Sequence, residues 1–171
     1  DDGSARHVLI CIPPSQSADY SEEVARGCRL WRGATQKPPG GLLFTSSVAV
    51  YGEADGQAVG EDTPLPSPPS PRSLPLLQAE GEALRSGGRV LRLAGLYSAQ
   101  RGPHTFWLKR AAEGRAVDGS ARGFVNLIHY EDAAALCVRI LEHEGGAVLA
   151  MSPLLLCVIL VYSLIVFCVC T

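Results

Sequence analysis

The chain has no excess of basic residues. Fifteen Lys and Arg stand against seventeen Asp and Glu in 171 residues, a formal net charge of −2. That leaves no electrostatic footprint for nucleic acid. It has no CxxC pair and no histidine at zinc spacing from any of its six cysteines, so no metal site is expected. No internal repeat is visible, and no secretory signal is expected, since Asp1-Asp2-Gly3 leads straight toward an apolar run. Together these absences point to an intracellular protein with reduced thiols, in which Cys11 and Cys137 act as small hydrophobes. One further absence is local. From Gly145 to Thr171 there is no charged side chain.

Continuous apolar runs that stop at turn residues are abundant. Val8 to Ile12 ends at Pro13-Pro14-Ser15, Leu42 to Ser46 opens into Ser47 and a Pro- and Gly-rich loop, and Val90 to Ala94 ends at Gly95-Leu96-Tyr97. Such runs read as strands buried on both faces. Helical spacing lies between them. Ser21 to Trp31 carries Val24, Cys28 and Trp31, with Ser21-Glu22-Glu23 as its start signal, and Ser73 to Ser86 is closed by Gly87-Gly88. Helices are also expected over His104 to Glu113 and Glu131 to Glu142, and short strands over Phe124 to Ile128 and Val148 to Met151. Gly95 to Tyr97 reads as an exit loop, and Gly52 to Arg72 as a long surface loop. The alternation predicts an α/β fold: a partial Rossmann-like domain of about four parallel strands with flanking helices over residues 1–146.

Four blocks carry a resemblance. They are Thr45-Ser46-Ser47-Val48-Ala49-Val50-Tyr51-Gly52, Glu80 in Gln78-Ala79-Glu80, Leu91 to Tyr97 with Arg101 after it, and Asn126-Leu127-Ile128-His129-Tyr130-Glu131-Asp132-Ala133. In order and spacing they resemble the extended short-chain dehydrogenase/reductases, the NAD-dependent epimerase/dehydratase family. The resemblance spans Val8 to Glu142 and implies an NAD or NADP cofactor and a small-molecule substrate. Within it, Ser47 matches the catalytic hydroxyl. Pro13, Ser46 and Gly95 match strand-exit positions along the dinucleotide. Tyr51, Arg101, Asn126 and His129 match positions near the substrate. Each also has a plain structural role open to it. Ser47 can satisfy backbone groups at a strand end, Tyr51 can pack a loop, His129 can be a hydrogen-bonded structural histidine, Arg101 can be solvated, and Asp132 can serve a helix start.

Two departures from the family pattern bear on activity. No Gly-rich turn follows a first strand, so the main pyrophosphate anchor is missing and the resemblance implies a chain truncated at both ends. The family's Tyr-x-x-x-Lys pair is replaced by Arg72 and Leu76, neither of which can exchange a proton with substrate. Catalysis is therefore expected to be impaired. Beyond residue 146 the family likeness stops, and residues 147–171 form a hydrophobic tail, Ala147 to Cys170 being long enough to span a bilayer as a helix. The sequence leaves three natures open for it: a membrane anchor, a translated intron or alternative splice end, or a buried core segment. With the first of these, the domain becomes a non-enzymatic, membrane-associated remnant.

Overall fold

A computed structural model describes residues 5–31, 40–52, 59–60, 63–116 and 125–142. Strand β1 (Val8–Ile10) leads through a 3-10 turn (Pro14–Gln16) to helix α1 (Tyr20–Arg29). Strand β2 (Leu42–Ser47) runs directly into a second 3-10 turn (Val48–Tyr51). Helix α2 (Leu74–Arg85) precedes β3 (Arg89–Leu93) and β4 (Gly95–Tyr97), then come α3 (Pro103–Ala112), β5 (Leu127–His129) and α4 (Tyr130–Glu142).

β1, β2 and β3 lie side by side in that order, all parallel, with Val8 opposite Leu42 and Phe44 opposite Val90. The three runs expected as neighbouring parallel strands are therefore neighbours. Two details differ from expectation. Gly95 to Tyr97 is a strand rather than an exit loop, because it pairs in parallel with β5, Tyr97 opposite His129. The ladders consequently number three strands plus two, not four in one sheet. The Arg89–Tyr97 run gives its first half to β2 and its second half to β5, with Ala94 between.

Alternation along each strand sends side chains to two faces. Leu42, Phe44 and Val90 pack with Tyr20, Val24 and Cys28 of α1 and Ala79 and Ala83 of α2. Leu43, Leu91 and Leu93 pack with Ala133, Cys137 and Ile140 of α4. Helices thus cover both faces, as a parallel sheet requires.

Local chemistry sets the helix ends. The carboxylate of Asp19 accepts the Glu22 N–H at 3.0 Å, so α1 starts one turn-residue earlier than Ser21. It also ends before Trp31, which instead makes an isolated parallel bridge to Ala5. At the end of α2, Gly87 adopts φ +79°, Gly88 N–H reaches Ala83 O at 2.9 Å, and Gly87 N–H reaches Leu84 O at 3.0 Å. That pair of bonds ends the helix and turns the chain into β3. Among the described residues, no helix is long and apolar enough to cross a membrane. The tail 147–171 and the strand expected over Val148 to Met151 lie outside the described residues.

Candidate functional site at the carboxyl edge of the sheet

Among the described residues both ladders are parallel, and the chain runs on from β3 through Ala94 into β4, so the carboxyl ends of the strands lie toward one edge. This is where open α/β sheets take their ligands. Pro13 stands exposed where β1 leaves the sheet. The backbone there is pinned from two sides: Tyr20 donates its phenol O–H to Ile12 O at 2.8 Å, and Thr45 donates to Ile10 O at 3.3 Å. Nearby, the Ser17 hydroxyl is buried without a hydrogen-bond partner.

The two serines at the end of β2 point to opposite faces and have different fates. Ser46 is buried and donates to Glu80 Oε1 at 2.6 Å. Ser47 is half-buried at the strand end, and its oxygen accepts the Ala49 N–H at 3.2 Å to start the 3-10 turn. Its own O–H remains available to a ligand.

Behind the edge lies a buried polar network. Glu80 of α2 is 4 % exposed and Arg92 of β3 is 8 % exposed. Arg92 grips the carboxylate with two bonds, Nε to Oε1 at 3.0 Å and Nη2 to Oε2 at 2.6 Å. Its Nη1 donates to the Tyr51 phenol oxygen at 2.9 Å, and its Cζ stands 4.9 Å from the centre of that ring. Burial works against the guanidinium charge, but the bonds and charge of Glu80, with Tyr51, outweigh it and hold Arg92 above its ordinary range. Tyr51 therefore belongs to the interior, with its phenol engaged by Arg92. Sequence reasoning took Glu80 and Arg92 only as motif letters. The available signal was an arginine inside Val90-Leu91-Arg92-Leu93, which must find a buried partner.

The remaining candidates gather around β4 and β5. Gly95 donates its N–H to Asn126 O at 3.1 Å, and a Cβ there would lie 2.8 Å from the Leu127 side chain. The glycine is needed for close approach of β5. Asn126 is exposed. Arg101 is exposed, with its guanidinium 5.6 Å from the centre of the Tyr130 ring. His129 is half-buried; its Nδ1 accepts the Glu131 N–H at 3.3 Å and its ring meets Tyr97. Asp132 is exposed in the first turn of α4, where its charge suits the helix dipole. Pro13 and Ser47 thus share the β1–β2 part of the edge, Gly95, Asn126 and His129 the β4–β5 part, and Ser46 and Tyr51 lie in the network beneath.

Solved structures share this fold. One is the dTDP-glucose 4,6-dehydratase of Bacillus anthracis in complex with NAD, 20 % identical, matching 82 % of this chain and 49 % of that one with a TM-score of 0.60. Another is the Bordetella bronchiseptica enzyme WbmG in complex with NAD, 19 % identical over 81 % and 47 % of the two chains, TM-score 0.60. This is the fold of the NAD-dependent epimerases and dehydratases. A Methylobacillus flagellatus protein described as an NAD-dependent epimerase/dehydratase is 26 % identical over 78 % and 46 % of the two chains, TM-score 0.53. No family model and no curated protein matches the chain. The chain spans about half the length of these epimerase/dehydratase-fold structures.

Within that fold, the two positions expected for the proton-transfer pair are occupied by an exposed Arg72 and a half-buried Leu76. Leu76 packs against the α1–α2 core and against the Val50–Tyr51 cluster. No metal-holding cluster of His, Cys, Asp or Glu occurs among the described residues.

Proposed function

We propose that this chain is an NAD(P)-binding, epimerase/dehydratase-like domain acting on a small molecule at the carboxyl edge of its sheet. The observation that carries it is the parallel β1-β2-β3 order, which brings Pro13 and Ser47 to one edge. The similar folds solved with NAD support the choice of ligand.

The edge residues fit a nicotinamide-bearing group. Ser17 offers a buried hydroxyl without a partner, and Pro13 leaves the exit of β1 open. A bound nicotinamide supplies hydride exchange with the substrate. Ser47 donates to the substrate oxygen and polarises it. The network of Ser46, Glu80, Arg92 and Tyr51 fixes the strand end from which Ser47 projects, so that donor is held in place by a buried ion pair. With Arg72 and Leu76 at the proton-transfer positions, turnover is slow compared with binding.

Titrating NADH and NADPH against the purified chain by fluorescence tests the proposal. Saturable binding of at least one is expected, and Ser47→Ala lowers any turnover without changing cofactor affinity. Absence of binding for both at millimolar cofactor overturns it.

A further inference from the structure

The β4–β5 ladder sets Tyr97 opposite His129, and the first turn of α3 brings His104 to the same phenol ring. His129 meets that ring edge-on with 5.2 Å between centroids, and His104 edge-on at 6.2 Å. All three side chains are half-buried, so the cluster opens at the surface rather than closing into core. Three elements converge on one aromatic ring at the ligand edge, and the buried network beneath uses none of them.

A hydrogen bond on His129 and burial on His104 bear on where each neutral imidazole carries its proton. His129 Nδ1 accepts the Glu131 N–H, so in the neutral ring the proton sits on Nε2. His104 Nδ1 is buried without a partner. Gly102 closes over it: a Cβ on Gly102 would stand 3.0 Å from that nitrogen and 2.8 Å from Tyr97 Cβ. A proton on Nδ1 would be a buried donor with no acceptor, whereas on Nε2 it can be satisfied from outside. Both rings therefore present Nε2–H, and Tyr97 adds a phenol O–H. The Glu131 carboxylate stands 3.8 Å from His129 Nδ1, which disfavours an anionic ligand group alongside.

We propose that Tyr97, His104 and His129 form a subsite for an uncharged carbonyl- or hydroxyl-bearing part of the substrate, to which they offer three hydrogen-bond donors. This deepens the proposed function and rests on it. It also makes His104, which no motif singled out, a specificity residue. The phenol ring supplies the apolar floor, and the two imidazoles fix where the ligand oxygens sit.

Histidine-ring nitrogen NMR on the full chain tests this, with freshly dissolved dihydroxyacetone as the uncharged probe. His104 and His129 are expected as Nε2–H tautomers whose resonances shift saturably with the probe. His7 is the internal control: its Nδ1 accepts the Gly41 N–H at 3.0 Å, but it lies at the opposite edge of the sheet and does not respond. Tyr97→Phe, His104→Leu and His129→Leu each weaken the probe about tenfold, as the loss of one neutral hydrogen bond does. His104→Gln and His129→Gln, which restore an N–H near the Nε2 position, recover most of that. Melting temperatures of the variants separate loss of a donor from loss of fold. An Nδ1–H tautomer at either ring, equal response of His7, or leucine variants that bind like the parent each overturn the subsite. NADH binding is measured in the same samples. Cofactor binding without a probe response overturns the subsite alone, and a probe response without cofactor binding overturns the cofactor proposal alone.

Discussion

Tyr20 shows how one buried side chain ties α1 to the exit of β1. It contributes a ring against Phe44, at 6.2 Å between centroids, and a phenol O–H to Ile12 O. Burial, with a smaller push from Cys11, raises its pKa from 10.0 to about 12. The sign of the consequence follows from proton binding. Between the unfolded and folded values the native state holds a proton that the unfolded chain has lost, so stability falls as pH rises. The contribution is complete below about pH 10 and lost on approaching pH 12. Two pKa units correspond to about 3 kcal/mol at most. Urea unfolding at a series of alkaline pH values is expected to show this decline. In Tyr20→Phe the protein starts about 1 kcal/mol less stable at neutral pH, from the lost hydrogen bond, and that part of the alkaline slope disappears. An unchanged slope in the variant would assign the decline to other groups.

At the scale of elements, the Glu80–Arg92 pair clamps α2 to β3 through the middle of the domain, with Ser46 of β2 and Tyr51 of the following turn bonded to it. Removing one partner strands a charge with no water to take it up. Glu80→Leu alone or Arg92→Met alone is expected to destabilise by about 3–5 kcal/mol, read as a shift of the urea midpoint at constant slope. Replacing both together leaves no orphan charge, so the double variant recovers most of the loss; simple additivity of the two single changes would refute the clamp. The elements themselves were legible because each announces its own period: Val8 to Ile12 and Leu42 to Ser46 as apolar runs, Val24 and Cys28 at helical spacing. Their boundaries were less so. Asp19, not Ser21, caps α1, because the cap is chosen by which side chain reaches an orphan N–H. The Gly95–Tyr97 strand was read as a loop, because what makes it a strand is its pairing with β5 some thirty residues away, and no local pattern reports that.

For the molecule as a whole, the parallel order places the candidate site residues at one edge and a liability at another. The placing of Ser47 and His129 at strand ends was legible from their motifs, whereas the engagement of Ser46 and Tyr51 with Glu80 and Arg92 was not, because a motif names residues and only the packed network shows which face each one takes. The liability is β1. Among the described residues it pairs on one side only, with β2, and stands at the end of the β1-β2-β3 order. Ile10 turns inward against the α1–α2 core, while Leu9, on the opposite face, is 45 % exposed and Ile12 just beyond is exposed as well. A greasy strand with one row of unpaired N–H and C=O groups is a template for another chain. A charge at Leu9 interrupts that pairing without touching the core side, because alternation keeps Val8 and Ile10 facing α1. Leu9→Lys is therefore expected to raise the soluble, non-aggregated fraction on size-exclusion chromatography while leaving the urea midpoint within about 0.5 kcal/mol of the parent. Ile10→Lys serves as the contrasting change, since the same charge one residue along enters the core and should unfold the domain. If Leu9→Lys leaves the aggregated fraction unchanged, association proceeds through a surface other than the β1 edge.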